Sequence, residues 1–176
     1  MHLRARRWLL LAAGEIEQRC RTGGREKSAG QGAPVSHKVI IWNTHNGAHM
    51  DRGTVTCNVQ FVLGGNVVLE KQNTLPWLGD APSPTVIRPA AAIRSCQVEV
   101  LTYHRNGGGL AEVRGASGAL TFVSRSAARA SSVYSGDFQA NNVTDGNFGD
   151  KLNQKGIWLL PDREPGWIEI QLNRQR

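Results

Sequence analysis

Residues 54–72, TVTCNVQFVLGGNVVLEKQ, alternate apolar and polar side chains, break at Gly64-Gly65-Asn66, and resume as a second apolar-rich run. A period of two sends successive side chains to opposite faces of an extended chain, and no helix accommodates that pattern. Two such runs around a glycine turn read as an antiparallel hairpin. The same grammar governs the flanks: KVIIW (38–42) is a short apolar strand and NTHNGAHMDRG (43–53) a polar loop. NTLPWLGDAPSPTVIRP (73–89) reads as a Pro-rich loop, AAIRSCQVEVLTYHR (91–105) as a long alternating strand, NGGG (106–109) as a tight turn and LAEVRG (110–115) as a closing strand. Near the end, GWIEIQL (166–172) supplies Trp167, Ile168, Ile170 and Leu172 to a further strand. Short Val- and Ile-rich runs separated by Gly, Asn and Asp turns predict an all-β fold, an antiparallel β-sandwich or barrel of about eight strands.

One stretch escapes this grammar. YSGDFQANNVTDGNFGDKLNQKGIW (134–158) has no period, and loops of such length in compact chains are functional or disordered. GASGALTFVSRSAARA (115–130) is small and weakly patterned apart from LTFV, and reads as a linker with a candidate strand inside it.

The formal charge of +7 raises the question of nucleic acid. Its distribution argues against that: residues 1–37 carry seven Lys/Arg against three Asp/Glu, and residues 38–176 carry fourteen against eleven. The body is mildly basic and never interleaves its cations with aromatics, so no nucleic-acid partner is expected. The opening MHLRARRWLLLAAGEIEQRC has a basic start and an apolar run of six residues, Trp8 to Ala13. That run is short for a secretion signal and too short to cross a bilayer, so a weak signal and a short amphipathic helix stay open. RTGGREKSAGQGAPVS (21–36) then reads as a flexible Gly-rich linker, which makes residues 1–36 a helical or disordered extension. Cys20, Cys57 and Cys96 form no metal spacing and no CxxC; Cys57 and Cys96 share the apolar parity of their strands, as buried thiols or as a Cys57–Cys96 bridge. There is no GxSxG, P-loop, HExxH or GxGxxG, and no enzyme is expected.

ASSVYSGDFQANNVTDGNFGD, GIW and PGWIEIQL together resemble the first half of a discoidin (coagulation-factor C-type) domain, a galactose-binding-like β-sandwich of jelly-roll type. VSHKVIIWN and the LAEV of AAIRSCQVEVLTYHRNGGGLAEVRG resemble the half that follows. Here the order is reversed: 37–114 is of C-terminal type, 115–129 a linker, and 130–172 of N-terminal type. The resemblance therefore implies a sandwich over 37–176 that is circularly permuted or cut from a tandem array. Its halves would close within one chain, or between chains as a strand-exchanged homodimer.

The resemblance also implies a structural calcium beneath the long loop. Asp145, Asn147 and Asn142 would give side-chain oxygens, and the LAEV strand a carbonyl from Ala111 and a carboxylate from Glu112. The family's Thr before the Trp is missing, with Asp150 or Asn153 as substitutes; an ordinary Asx turn at Asp145-Gly146-Asn147 is the metal-free reading. Discoidin-like domains bind sugars, or anionic lipids or proteins, through loops at one end. Carbohydrate is thus the implied partner, with peripheral membrane or cell-surface association as the alternative, in an extracellular or cell-surface setting. His45, Asn46, His49 and Arg52, with Asn43 before them, offer hydrogen bonds in the loop after IIW. Trp77 offers an aromatic platform or a loop anchor, while Trp42, Trp158 and Trp167 read as core.

Overall fold

The computed structural model describes residues 38–45, 49–79, 81–90, 93–117, 120–122, 127–149 and 156–172, all within the unit Gly32–Arg176. The expected extension over 1–36, together with Cys20, Asn46, Asp150 and Asn153, lies outside the described residues. Among the described residues no helix is long and apolar enough to cross a membrane.

The strands are β1 (Lys38–Asn43), β2 (Thr54–Leu63), β3 (Asn66–Thr74), β4 (Ser83–Ile87), β5 (Ser95–Tyr103), β6 (Gly109–Ser117), β7 (Leu120–Phe122), β8 (Ala128–Ala130), β9 (Trp158–Leu159) and β10 (Gly166–Gln171). They form two antiparallel sheets, ordered β4-β1-β6-β7 with β9 also on β6, and β3-β2-β5-β10-β8. The expected all-β sandwich is the observed architecture. Strands from either side of the 115–129 stretch mix in both sheets: β10 runs beside β5 with Ile168 opposite Val98, and β9 pairs with Gly109 and Leu110 of β6. β1 and β10 lie in different sheets.

Strand β4 corrects the reading of 73–89 as loop throughout. Its Pro84 sits opposite Trp42, but β4 ends the sheet order and pairs, among the described residues, with β1 alone. A proline at an edge sacrifices no ladder hydrogen bond on its solvent side, which is where sheets tolerate it. At the other extreme the β2–β3 hairpin follows its glycines: Gly64 and Gly65 both take left-handed φ, 60° and 84°, as a tight twisted turn requires.

The alternating residues do what their parity demands. Val39 and Ile41 of β1, Cys57, Val59 and Phe61 of β2, Cys96, Val98 and Val100 of β5, and Ile168 and Ile170 of β10 meet in one buried core. Each fully buried Val, Ile or Phe contributes about 1.5–3 kcal/mol. Cys57 and Cys96 are free thiols, which removes the disulfide alternative. The register explains it: Cys57 lies opposite Val100 and Cys96 opposite Phe61, four positions apart along the sheet, or roughly 13 Å at strand rise.

Strand β6 breaks the alternation, and for a reason. Trp42 pairs with Glu112 and Asn43 with Leu110, so Ala111 is an extra residue, a bulge. Leu110 and Val113 therefore both enter the main core, while Ala111 packs with Ile157 and Leu159 in a second cluster flanked by Trp42 and Phe138. Phe138, Ile157 and Leu159 pack on the outer face over Ala111, and Gly146 approaches Glu112, so Leu110, Ala111, Glu112 and Val113 are buried in succession.

Candidate functional site

The pairings bring five connections to one end of the sandwich. Asn43 at the end of β1 lies opposite Ser83 of β4 and Leu110 of β6; Thr54 opening β2 lies opposite Tyr103 closing β5; Gly166 opening β10 lies opposite Val100. The loops 44–53, 75–82, 104–108, 131–139 and 160–165 therefore leave from the same edge. Their bases are fixed by buried polar bonds. Asn43 Nδ2 donates to the carbonyls of Thr54 (2.8 Å) and Pro76 (3.0 Å), and Asn43 Oδ1 accepts from Thr54 N. Thr54 Oγ1 donates to Gly109 O at 2.8 Å, and Leu160 N donates to Gly108 O at 3.0 Å.

Among these loops opens a cleft of about 250 Å³ lined by His49, Asp51, Arg52, Asn106, Tyr134, Phe138, Leu159 and Asp162. Arg52 ties its floor together. The side chain is 5% exposed, Nη1 donates to Leu160 O at 2.9 Å, and Nη2 is paired with the carboxylate of Asp162. The guanidinium also lies 4.4 Å from the Tyr134 ring centre, within the range of cation–π attraction. Asn106 bridges two walls, donating from Nδ2 to Asp51 Oδ2 at 2.7 Å and accepting from Arg163 N at its carbonyl. Tyr134 and Phe138 meet edge to face at 5.8 Å, and Tyr134 is 48% exposed. An exposed aromatic face beside several fixed polar groups can take a ligand that is itself part apolar and part hydroxylated.

The second assembly lies under the long loop, around a short 3-10 helix over Ala140–Thr144. Glu112, fully buried, accepts from Gly146 N at 3.3 Å on Oε2 and from Arg114 Nε at 3.0 Å on Oε1. Burial drives its pKa up to about 7 against the partial relief of the Arg114 and Gly146 hydrogen bonds, and the nearby Asp145 carboxylate adds to the rise. Asp145 is itself raised, by burial first. Asp145 Oδ1 accepts from Asn147 N at 2.7 Å, and Asn147 Oδ1 from Gly149 N at 3.1 Å, two successive Asx turns. Asn142 Nδ2 donates to the carbonyls of Asp137 and Ile157, stapling the loop to β9. Phe148 closes the outside, 5.2 Å from Trp42, with the Arg114 guanidinium 4.8 Å from its ring.

No family model, curated protein or solved structure matches this chain. The resemblance to a discoidin domain therefore rests on the quoted motifs alone.

The residues expected to bind ligand divide three ways. His49 and Arg52 line the cleft. His45 is 2% exposed, a buried residue of the loop base away from this cleft's described lining; Asn46 lies outside the described residues. Trp77 has the contacts of a loop anchor, the other of its two readings. Its ring stacks on His104 at 4.3 Å, Nε1 donates to Arg52 O at 3.1 Å, and a methyl at Gly53 would sit 2.4 Å from its Cδ1. Burial, with Arg105 alongside, lowers the pKa of His104 and favours a neutral ring in that stack. Of the tryptophans read as core, Trp158 is fully buried, but Trp42 and Trp167 are half-buried under Arg114 and Arg129. The expected metal set is drawn together in part: Glu112 reaches the Asp145–Asn147 turn, and Ala111 lies beside it on the bulge. Among the described residues no three His, Cys, Asp or Glu cluster as a metal group.

The aromatic pair of the cleft was missed from sequence. Tyr134 and Phe138 are four apart in a Gly- and Ser-containing stretch without a period, and neither shares a strand's parity. The available signal was that parity itself: an aromatic outside any alternating run has no core face to occupy.

Proposed function

We propose that the chain is a non-catalytic carbohydrate-binding module. Its cleft takes a neutral sugar through the loops at one end of the sandwich, and a structural calcium sits between Glu112 and the Asp145–Asn147 turn. One observation carries the sugar reading: an exposed Tyr134 ring backed by Phe138 opens beside Asp51, Asn106, His49 and Asp162 on a hydrogen-bonded floor. A pyranose has an apolar face for the ring and equatorial hydroxyls that donate to carboxylates and amide oxygens. Because the floor groups are already held, little side-chain freedom is lost on binding.

The calcium reading rests on donor chemistry. Glu112 and Asp145 bring carboxylates, Asn142 and Asn147 amide oxygens and Ala111 a carbonyl, all hard oxygen donors of the kind this ion takes. Two carboxylates whose charged forms burial disfavours gain from a cation between them. The ion would hold the loop to β6 and perform no chemistry. Such a module would act outside the cell or at its surface.

A second reading, attachment to an anionic surface, draws on Leu78 and Met50, 62% and 43% exposed in the loops of the same end, together with the net +7. Methyl galactoside titrated against the chain at low and high salt separates the two. Sugar binding is expected near millimolar, about −4 kcal/mol, nearly salt-independent, and lost in Tyr134→Ala with folding intact. Binding confined to phosphatidylserine vesicles and abolished by salt would replace the sugar reading with the second one.

A further inference from the structure

Among the described residues Arg52 is the one Lys or Arg lining the cleft, and its pairing is lopsided: its own side chain is 5% exposed while that of Asp162 is 60% exposed. A guanidinium this deep needs a counter-charge, since an unpaired buried cation is costly. Leu160 O satisfies Nη1, and the Tyr134 ring lies against the guanidinium; the carboxylate on Nη2 comes from the β9–β10 loop, at the solvent side. That carboxylate stands in the position an acidic ligand would seek, because planar carboxylate recognition is what a guanidinium does best.

We propose that Asp162 is the specificity-determining residue of the cleft, an internal carboxylate seated on Arg52 that makes the site accept neutral sugars and reject uronic and sialic acids. The proposal rests on the sugar-binding reading above. Two effects act in the same direction. Asp162 is tethered, so its effective concentration at Arg52 is in the millimolar range or higher, and a dilute ligand acid competes poorly. With Asp51 also lining the cleft, the described lining residues carry two carboxylates against one guanidinium, so an incoming acid meets repulsion that a neutral sugar does not.

The test compares methyl galactoside with galacturonate on the full chain, wild type and Asp162→Asn, by tyrosine fluorescence or ligand-observed NMR, with a melting curve for each protein. Wild type is expected to bind galacturonate at least about tenfold more weakly than the neutral sugar. In Asp162→Asn the affinity for galacturonate relative to methyl galactoside is expected to rise about tenfold. A folded Asp162→Asn that gains nothing, or a wild type that binds both sugars equally, overturns the proposal. Failure of wild type to bind methyl galactoside overturns the sugar reading; gain of galacturonate by the variant would even then support the role of Asp162, and no gain would end it. If Asp162→Asn does not fold, the Arg52 Nε–H resonance of wild type reports instead: unmoved by galacturonate supports the proposal, shifted by it refutes it.

Discussion

Glu112 makes the folded state sensitive to pH in a direction opposite to most carboxylates. Its folded pKa, about 7, lies above the ordinary value of 4.5, so between those limits the folded chain holds a proton that the unfolded chain releases. The stabilisation is complete below pH 4.5 and is lost as pH rises through 7. At about 1.4 kcal/mol per pKa unit, the full difference is roughly 3 kcal/mol, or about 6–12 °C in Tm for a domain of this size. Asp145 is shifted in the same direction and adds to the trend. Glu112→Gln removes the titration while keeping a side chain that can accept from Gly146 N. The assay is urea unfolding followed by tryptophan fluorescence, with buried Trp158 as a reporter, for both proteins between pH 4.5 and 8 in chelator. Wild type should lose roughly 2–3 kcal/mol relative to Glu112→Gln across that range. Calcium should then restore wild type at pH 8 and leave Glu112→Gln nearly unmoved; below pH 7 each unit should weaken apparent affinity about tenfold, because the ion must displace the proton. A difference between the two proteins that is flat with pH would refute the buried-acid argument. Restoration of both proteins by calcium alike would refute Glu112 as its ligand.

Three further outcomes follow from contacts elsewhere in the fold. Gly107→Ala would put a methyl 2.6 Å from Arg52 Nη1 and 3.3 Å from Pro161 O, so it should displace the guanidinium, cost about 1–3 kcal/mol in urea unfolding and weaken methyl galactoside. Trp77→Ala should lower stability by about 2–3 kcal/mol through the lost His104 stack and Gly53 contact, yet leave sugar affinity within about threefold, because Trp77 does not line the cleft. Cys57 and Cys96, with pKa values pushed up to about 12 by burial, should resist iodoacetamide in the native chain and react at the rate of unfolding, which mass spectrometry of alkylated peptides would follow.

What could be read from the sequence was what repeats. β1, β2, β5 and β10 announce themselves because Val59, Phe61, Val98, Ile168 and their neighbours recur every second residue, and one buried face per sheet imposes that period; β3, with no buried residue, is announced by the Gly64-Gly65 turn before it. β4 was illegible because Pro84, with Pro82 just before the strand, carries a turn signature and only its place at the edge excuses it. β8 and β9, of three and two residues, are too short to show a period at all, whereas β7 falls on the LTFV read as a candidate strand. The bulge at Ala111 was equally hidden: a one-residue slip is decided by the partner strand, and it alone lets Leu110 and Val113 share a core while Glu112 turns outward. The site suffered for the same reason. Polar loop residues could be named, but His45 and His49 are four apart in one loop, and only tertiary packing buries the first and leaves the second exposed.

The two ends of the sandwich treat backbone strain differently, and the contrast locates the site independently of any pocket. At the β2–β3 hairpin the left-handed positions are Gly64 and Gly65, with nothing within 4 Å of a side chain placed there; the turn is made at no steric cost. At the opposite end the left-handed positions include Met50 (φ 47°), Arg105 (φ 47°) and Arg163 (φ 61°), one in each of three loops around the cleft. A side chain held there costs about 1–2 kcal/mol, and it persists only where neighbouring contacts fix the backbone. Those contacts are present: Asn106 N donates to Asp51 O, Gly53 N to Gly107 O, and Arg163 N to Asn106 O, so each strained residue adjoins a cross-loop hydrogen bond. Three loops that are connected to each other more firmly than to their own preferred geometry form a rigid rim. A rim of that kind lowers the entropy lost when a ligand is seated, which is the property a weak, sugar-sized contact needs most.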